Sequence, residues 1–143
     1  MVDTRFSLSV HVMMTLAYNK EEQLVNSEYL SGVLKTNATF VRKIVSRLVD
    51  AELVESFRGK GGGIKIARSP SEISLSEIYA AAVEEKCLVS THKRPVFKAC
   101  PVSCSMDGIL HDIVDGIEDS TKAYLSRLYL SDLLKKVQKK NIR

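Results

Sequence analysis

The chain has 143 residues, 45% hydrophobic and 27% charged, with a formal net charge of +4, which is enough for one globular domain with a real core. No apolar run approaches the roughly 20 residues that span a bilayer, and the start, MVDTRFSLSV, lacks the basic and apolar regions of a signal peptide, so a cytoplasmic protein without a membrane partner is expected. Three cysteines, an odd number with no export signal, argue against a disulfide framework.

The first helix is predicted over residues 4–19, where Phe6, Val10, Met13 and Ala17 recur at helical spacing. The polar run NKEEQ ends it. Asn26 or Ser27 can cap a second helix over 28–35, with Tyr29, Leu30, Val33 and Leu34 on its apolar face. After a break at Thr36 and Asn37, a third helix covers 38–52, capped by Asn37, with Phe40, Val41, Ile44, Val45 and Leu48 inward. Two short helices split by a tight turn fit a helix-turn-helix, whose second helix enters the major groove of DNA. Its exposed residues are Ala38, Thr39, Arg42 and Lys43, with Arg47 a turn further on. Arginine can bind guanine in a bidentate manner, and lysine can bind phosphate as a point charge.

Two strands follow, over 53–57 and 63–67, joined by the stretch RGKGGG. A hairpin directly after a recognition helix is the wing of a winged helix. Glycines let the tip turn and approach another surface closely, while Arg58 and Lys60 offer charge to phosphates or the minor groove. A phosphate loop is excluded, because G-x-x-x-x-G-K-[ST] is absent and no helix follows. Charge distribution points the same way. Residues 35–68 carry eight lysines and arginines against three acids, a net +5, so the remainder of the chain sums to −1. Such a local block suggests an anionic partner, nucleic acid first.

Ser74 with Glu77 three residues on is a capping box that opens a helix running to about Lys86. Residues 87–104 read as a loop with two prolines. Met106, Ile109, Leu110, Ile113, Val114, Ile117, Tyr124, Leu125, Leu128 and Tyr129 then mark a long periodic helix, about 25 residues or 37 Å at 1.5 Å per residue. It exceeds what a small winged domain can cover, so it is expected to pack on the first helix and on its twin in a homodimer through Ile109, Ile113, Ile117 and Tyr124. A core helix within one chain is the alternative. A short final helix and a basic tail close the chain. The expected fold is mainly α with a small β-hairpin wing. Residues 1–86 form a winged helix-turn-helix domain, 87–104 a cysteine-containing sensor loop, and 105–143 a dimerisation helix and tail.

The stretch FVRKIVSRLVDAELVESFRGKGGGIKIARSPSEISLSEIYAA resembles the Rrf2 family of bacterial transcriptional regulators, and the resemblance extends over nearly the whole chain. Its most specific pieces are the wing Arg58–Gly63 and the ISLSEIY at 73–79. The resemblance implies a winged-helix homodimer on a partly palindromic double-stranded operator, with the recognition helix in the major groove and the wing arginine reaching the minor groove. Because the family is mostly repressive, it also implies a repressor.

Cys87, Cys100 and Cys104 all fall in the connecting loop, with His92 among them. Cluster-binding members of the family keep three cysteine ligands there. Their cysteines are more evenly spaced than these, whose gaps are twelve and three residues. The piece His92…Pro95…Cys100-Pro101-Val102 is closer to the family's YwnA-like branch, which is not generally held to carry a cluster. Four readings stay open. The three cysteines could hold an iron–sulfur cluster. Cys100 or Cys104 could be a thiol switch, with the Cys104 thiolate favoured at a helix start. The three with His92 could hold zinc. They could equally be inert filling. No nucleophile–base order, nucleotide loop or C-x-x-C stands out, so an enzyme is not expected. The remaining class is a dimeric interaction module that does not bind DNA.

Overall fold

The computed structural model of the chain describes residues 3–19, 23–83 and 89–140, the last three of these as backbone only. Helix α1 runs Arg5–Tyr18, α2 Ser27–Leu34 and α3 Ala38–Asp50. Strands β1 Val54–Phe57 and β2 Gly63–Ile66 follow. A 3-10 turn at Pro70–Glu72 leads into α4 Leu75–Val83, then α5 Pro101–Leu125 and α6 Leu130–Lys140.

The helix-turn-helix is set by two asparagine caps. Asn26 Oδ1 accepts from the Tyr29 amide and Asn37 Oδ1 from the Phe40 amide, each at 2.7 Å, satisfying amides that a helix start leaves without partners. Between them Lys35 takes the left-handed conformation at φ 53°, which ends α2 and lets α3 start in a new direction. Leu30 of α2 and Val41, Ile44, Val45 and Leu48 of α3 are buried with Val12, Met13 and Leu16 of α1.

The hairpin pairs antiparallel, with Val54 opposite Ile66 and Phe57 opposite Gly63. Val25, just before α2, adds a single bridge to Ile64. Its amide donates at 2.9 Å, and its carbonyl accepts from Ile64 at 2.8 Å. This third edge, which the sequence reading omitted, ties the wing to the start of the helix-turn-helix.

The capping box is half formed. Ser74 Oγ accepts from the Glu77 amide at 3.3 Å, but the Glu77 carboxylate pairs with Arg68. The end expected for α4, near Lys86, lies outside the described residues, as does Cys87.

Two expectations for the long helix are corrected. The loop expected through residue 104 ends earlier, because α5 begins at Pro101 and takes in Cys104. Proline fits the first helical position, where its missing N–H costs nothing. At the other end the apolar periodicity does not carry the helix through Leu128 and Tyr129. The Leu75 amide donates to the Leu128 carbonyl at 2.8 Å and the Leu130 amide to the Ile73 carbonyl at 2.9 Å, so this segment is fastened to the start of α4 and the chain re-enters a helix at Leu130. The helix also packs chiefly against α4, while α6 lies on α1.

The apolar residues of α5 separate into two faces. Ser103, Met106, Leu110, Val114, Glu118, Thr121 and Leu125 recur every three or four positions and form the half-buried to buried inner face. There the Tyr79 hydroxyl donates to Glu118 Oε1 at 2.9 Å, and Leu125 is buried. The outer face carries Ile109, Ile113, Ile117 and Tyr124, which are 48%, 52%, 36% and 57% exposed.

Candidate nucleic-acid interface

α3 buries one side completely and leaves Thr39, Arg42, Lys43 and Ser46 on the other, exposed; Ala38 is half-buried. The Arg42 guanidinium lies 3.4 Å from Thr39 Oγ1, one turn back on the same face. Asn37 and Thr39 are exposed at this end of the helix, where the helix dipole favours an anion.

At the wing tip Arg58, Gly59, Lys60 and Gly61 are all exposed. Gly59 and Gly61 have φ of +100° and +82°, a region that side chains rarely adopt. The Gly62 amide donates to the Gly59 carbonyl at 2.9 Å. A side chain at Gly62 would collide with the carbonyl of Phe57. The glycines therefore make a tight, closed tip that presents two basic side chains.

The eight cations between residues 35 and 68 divide in two. Three have structural partners. Arg47 Nη1 donates to the Ala82 carbonyl at 3.0 Å, Lys65 lies 3.9 Å from Glu55 and 5.2 Å from the Phe57 ring centroid, and Arg68 pairs with Glu77. Among the described residues Lys35, Arg42, Lys43, Arg58 and Lys60 form no ion pair. Arg47 thus belongs to the α3–α4 joint and stands apart from the other candidate DNA contacts, because Ala82 lies within reach although 35 residues distant in sequence.

Sequence reading also passed over a surface beside the wing. Asn19, Gln23, Leu24, Val25, Asn26, Tyr29 and Gly61 line a depression of about 580 Å³, and Tyr29 is 53% exposed. Helical spacing assigns Tyr29 to the apolar face of α2, and the structure instead leaves it largely exposed beside the wing.

The linker cysteines occupy defined places. Cys100 is the N-cap of α5 but makes no side-chain cap bond. Cys104, exposed, sits one turn later with its amide 3.1 Å from the Cys100 carbonyl. Its Sγ lies 3.7 Å from the Lys98 carbonyl. An iron–sulfur cluster needs four ligands, mostly thiolates. Among the described residues there are two thiols, and no three His, Cys, Asp or Glu side chains converge. These residues do not themselves build a cluster or zinc site. His11 is exposed on α1, and His111 pairs with Asp115 at 3.3 Å along α5.

Comparison with known proteins agrees with this arrangement. The chain is 25% identical over 134 residues to the HTH-type protein YwnA of Bacillus subtilis (strain 168), covering 94% of this chain and 97% of that one. Its fold superposes on IscR of T. potens with a TM-score of 0.68 at 20% identity, covering 96% and 88% of the two chains. It superposes on CymR, the global cysteine regulator of B. subtilis, with a TM-score of 0.64 at 20% identity, covering 95% and 97%. A helix-turn-helix with a basic wing, a long outlying helix and a match over residues 2–136 to the family described as Rrf2, iron-dependent transcriptional regulator, establish that this chain belongs to the Rrf2 family of transcriptional regulators.

Proposed function

We propose that the protein is a homodimeric repressor that binds a partly palindromic DNA operator. In this reading α3 enters the major groove, with Thr39, Arg42 and Lys43 at the base edges and phosphates. The wing carries Arg58 and Lys60 to the neighbouring minor groove. The observation that supports it most is the partition of charge. Arg47, Lys65 and Arg68 are held by the Ala82 carbonyl, Glu55 and Glu77, while among the described residues Arg42 and Lys43 of α3 and Arg58 and Lys60 of the wing tip form no ion pair. Two copies joined through Ile109, Ile113, Ile117 and Tyr124 would set their α3 helices about one helical turn, roughly 34–36 Å, apart on the duplex.

Selection of bound duplexes from a random pool, followed by anisotropy titration of the purified protein, tests this. Arg42→Ala, Lys43→Ala and Arg58→Ala combined should abolish selective binding. Unchanged operator affinity in that variant overturns the proposal. Failure of the wild type to select any sequence points instead to an interaction module that does not bind DNA. Transcription from an operator-bearing template then separates repression from activation.

A thiol switch at Cys100 and Cys104 is the signal input best supported within this reading. One thiol is exposed at the first turn of α5 and the other stands at the N-cap position of the same helix, so oxidation there would act on the joint between the DNA-reading domain and the outer helix.

A further inference from the structure

The linker does more than connect. His92, Arg94, Pro95 and Val96 of the linker line, with Ser103, Met106, Asp107 and Leu110 at the start of α5, an open depression of about 160 Å³. That is the space of about five liquid waters. It is sized for a compact molecule.

We propose that this depression binds a small zwitterionic amino acid. Arg94 and Asp107 stand on its wall, and among the described residues neither forms an ion pair, with the other or with any third group. Two opposite charges left unpaired in so small a space select a ligand that brings both complements close together. The Arg94 guanidinium presents the fork of donors that matches a carboxylate. Asp107 accepts from an ammonium. Ser103 Oγ already accepts from the Phe97 amide at 2.9 Å, so its own hydrogen remains to be donated. Val96, Met106 and Leu110 supply an apolar side for a short side chain. A simple anion would face Asp107 and a simple cation would face Arg94, so each is disfavoured by like charge.

The site bridges the linker and the inner face of α5, the face whose Glu118 is held by Tyr79 of α4. Occupancy would draw the two together and alter the stance of α5 on the DNA-reading domain. That consequence rests on the operator-binding reading. Ligand binding itself does not.

The test uses the full-length, reduced protein without DNA, titrated calorimetrically with glycine, alanine, serine, cysteine and valine. At least one should bind saturably with one ligand per chain. Arg94→Gln and Asp107→Asn, both changes at exposed side chains, should each weaken it about tenfold or more, the scale of a lost charge-assisted bond. The methyl ester of the ligand, and the same acid without its amino group, should bind as poorly. Absence of binding by all five up to about 10 mM overturns the proposal. So does equal binding by the deaminated acid, which would mark a plain anion site, or unchanged binding by both variants. Operator affinity is measured separately with and without the ligand. A protein that binds the amino acid but selects no DNA sequence would sink the operator reading and leave this site standing.

Discussion

At Arg42 and Arg47, two arginines five residues apart on α3, the same side chain has different tasks. Arg42 is exposed, and among the described residues its side chain bonds to Thr39 Oγ1; Arg47 reaches the Ala82 carbonyl. Arg42→Ala should cost about 1–3 kcal/mol of operator affinity if it reads a base, and should instead lower the salt slope if it binds phosphate. Arg47→Ala should cost about 1 kcal/mol of folding stability, as expected of one part-buried hydrogen bond. Anisotropy at several salt concentrations and urea melts measure both. A loss of affinity for Arg47→Ala with unchanged stability would show that it, too, faces DNA. Glycines divide in the same manner. Gly62 has the Phe57 carbonyl where a side chain would go, whereas Gly32, inside α2, has nothing within 4 Å. Gly62→Ala should distort the wing tip and weaken operator binding. Gly32→Ala should raise stability by up to about 1 kcal/mol through helix propensity alone. Sequence patterning could locate both arginines and both glycines on their elements. It could not assign the roles, because Ala82 reaches Arg47 only through tertiary folding and the Phe57 carbonyl reaches Gly62 only once the hairpin has closed.

Among the elements, α2, α3 and the wing were the most legible, for local reasons. Asn26 and Asn37 are strong caps immediately before apolar periodicity, and two short strands flank a glycine cluster. The start of α5 is not legible in the sequence because Pro101 looks like a loop residue, although it suits the first helical position. That shift matters for the cysteines, since it moves Cys104 from the loop into the helix. If the pair acts as a switch, peroxide would take two electrons from the two thiols, whose protons leave with water as a disulfide forms. The bond requires a Cα separation of about 4.4–6.8 Å, and the Cys104 amide bonded to the Cys100 carbonyl already holds the pair one helical turn, about 6 Å, apart. Oxidised wild type should then lose operator affinity by roughly 5–150-fold, the range of a coupling of 1–3 kcal/mol. The Cys100→Ser, Cys104→Ser protein should not respond. Equal affinity of reduced and oxidised wild type would remove the thiol switch. A response only after anaerobic cluster reconstitution would transfer the role to a cluster that draws on residues beyond these two.

For the whole molecule, the decisive feature is the two-faced character of α5. Helical periodicity marked its apolar positions but could not say which of them face the same chain, since residues three and four apart fall on neighbouring faces in either case. The structure separates Leu125, 7% exposed, from Ile113, 52% exposed. These two positions make a discriminating pair. Lysine at Leu125 would place an unpaired charge in the core and should unfold the protein. Lysine at Ile113 meets solvent in the single chain and should leave its fold and melting temperature nearly unchanged. In a homodimer the same residue would meet its counterpart's apolar face, and like charges would be brought together. Ile113→Lys should therefore yield a soluble, folded monomer by sedimentation, with selective operator affinity reduced because the two α3 helices are no longer linked in one binding event. A variant that remained dimeric and bound the operator normally would move the subunit interface away from this face. It would also leave Ile109, Ile117 and Tyr124 as an exposed apolar strip with some other covering.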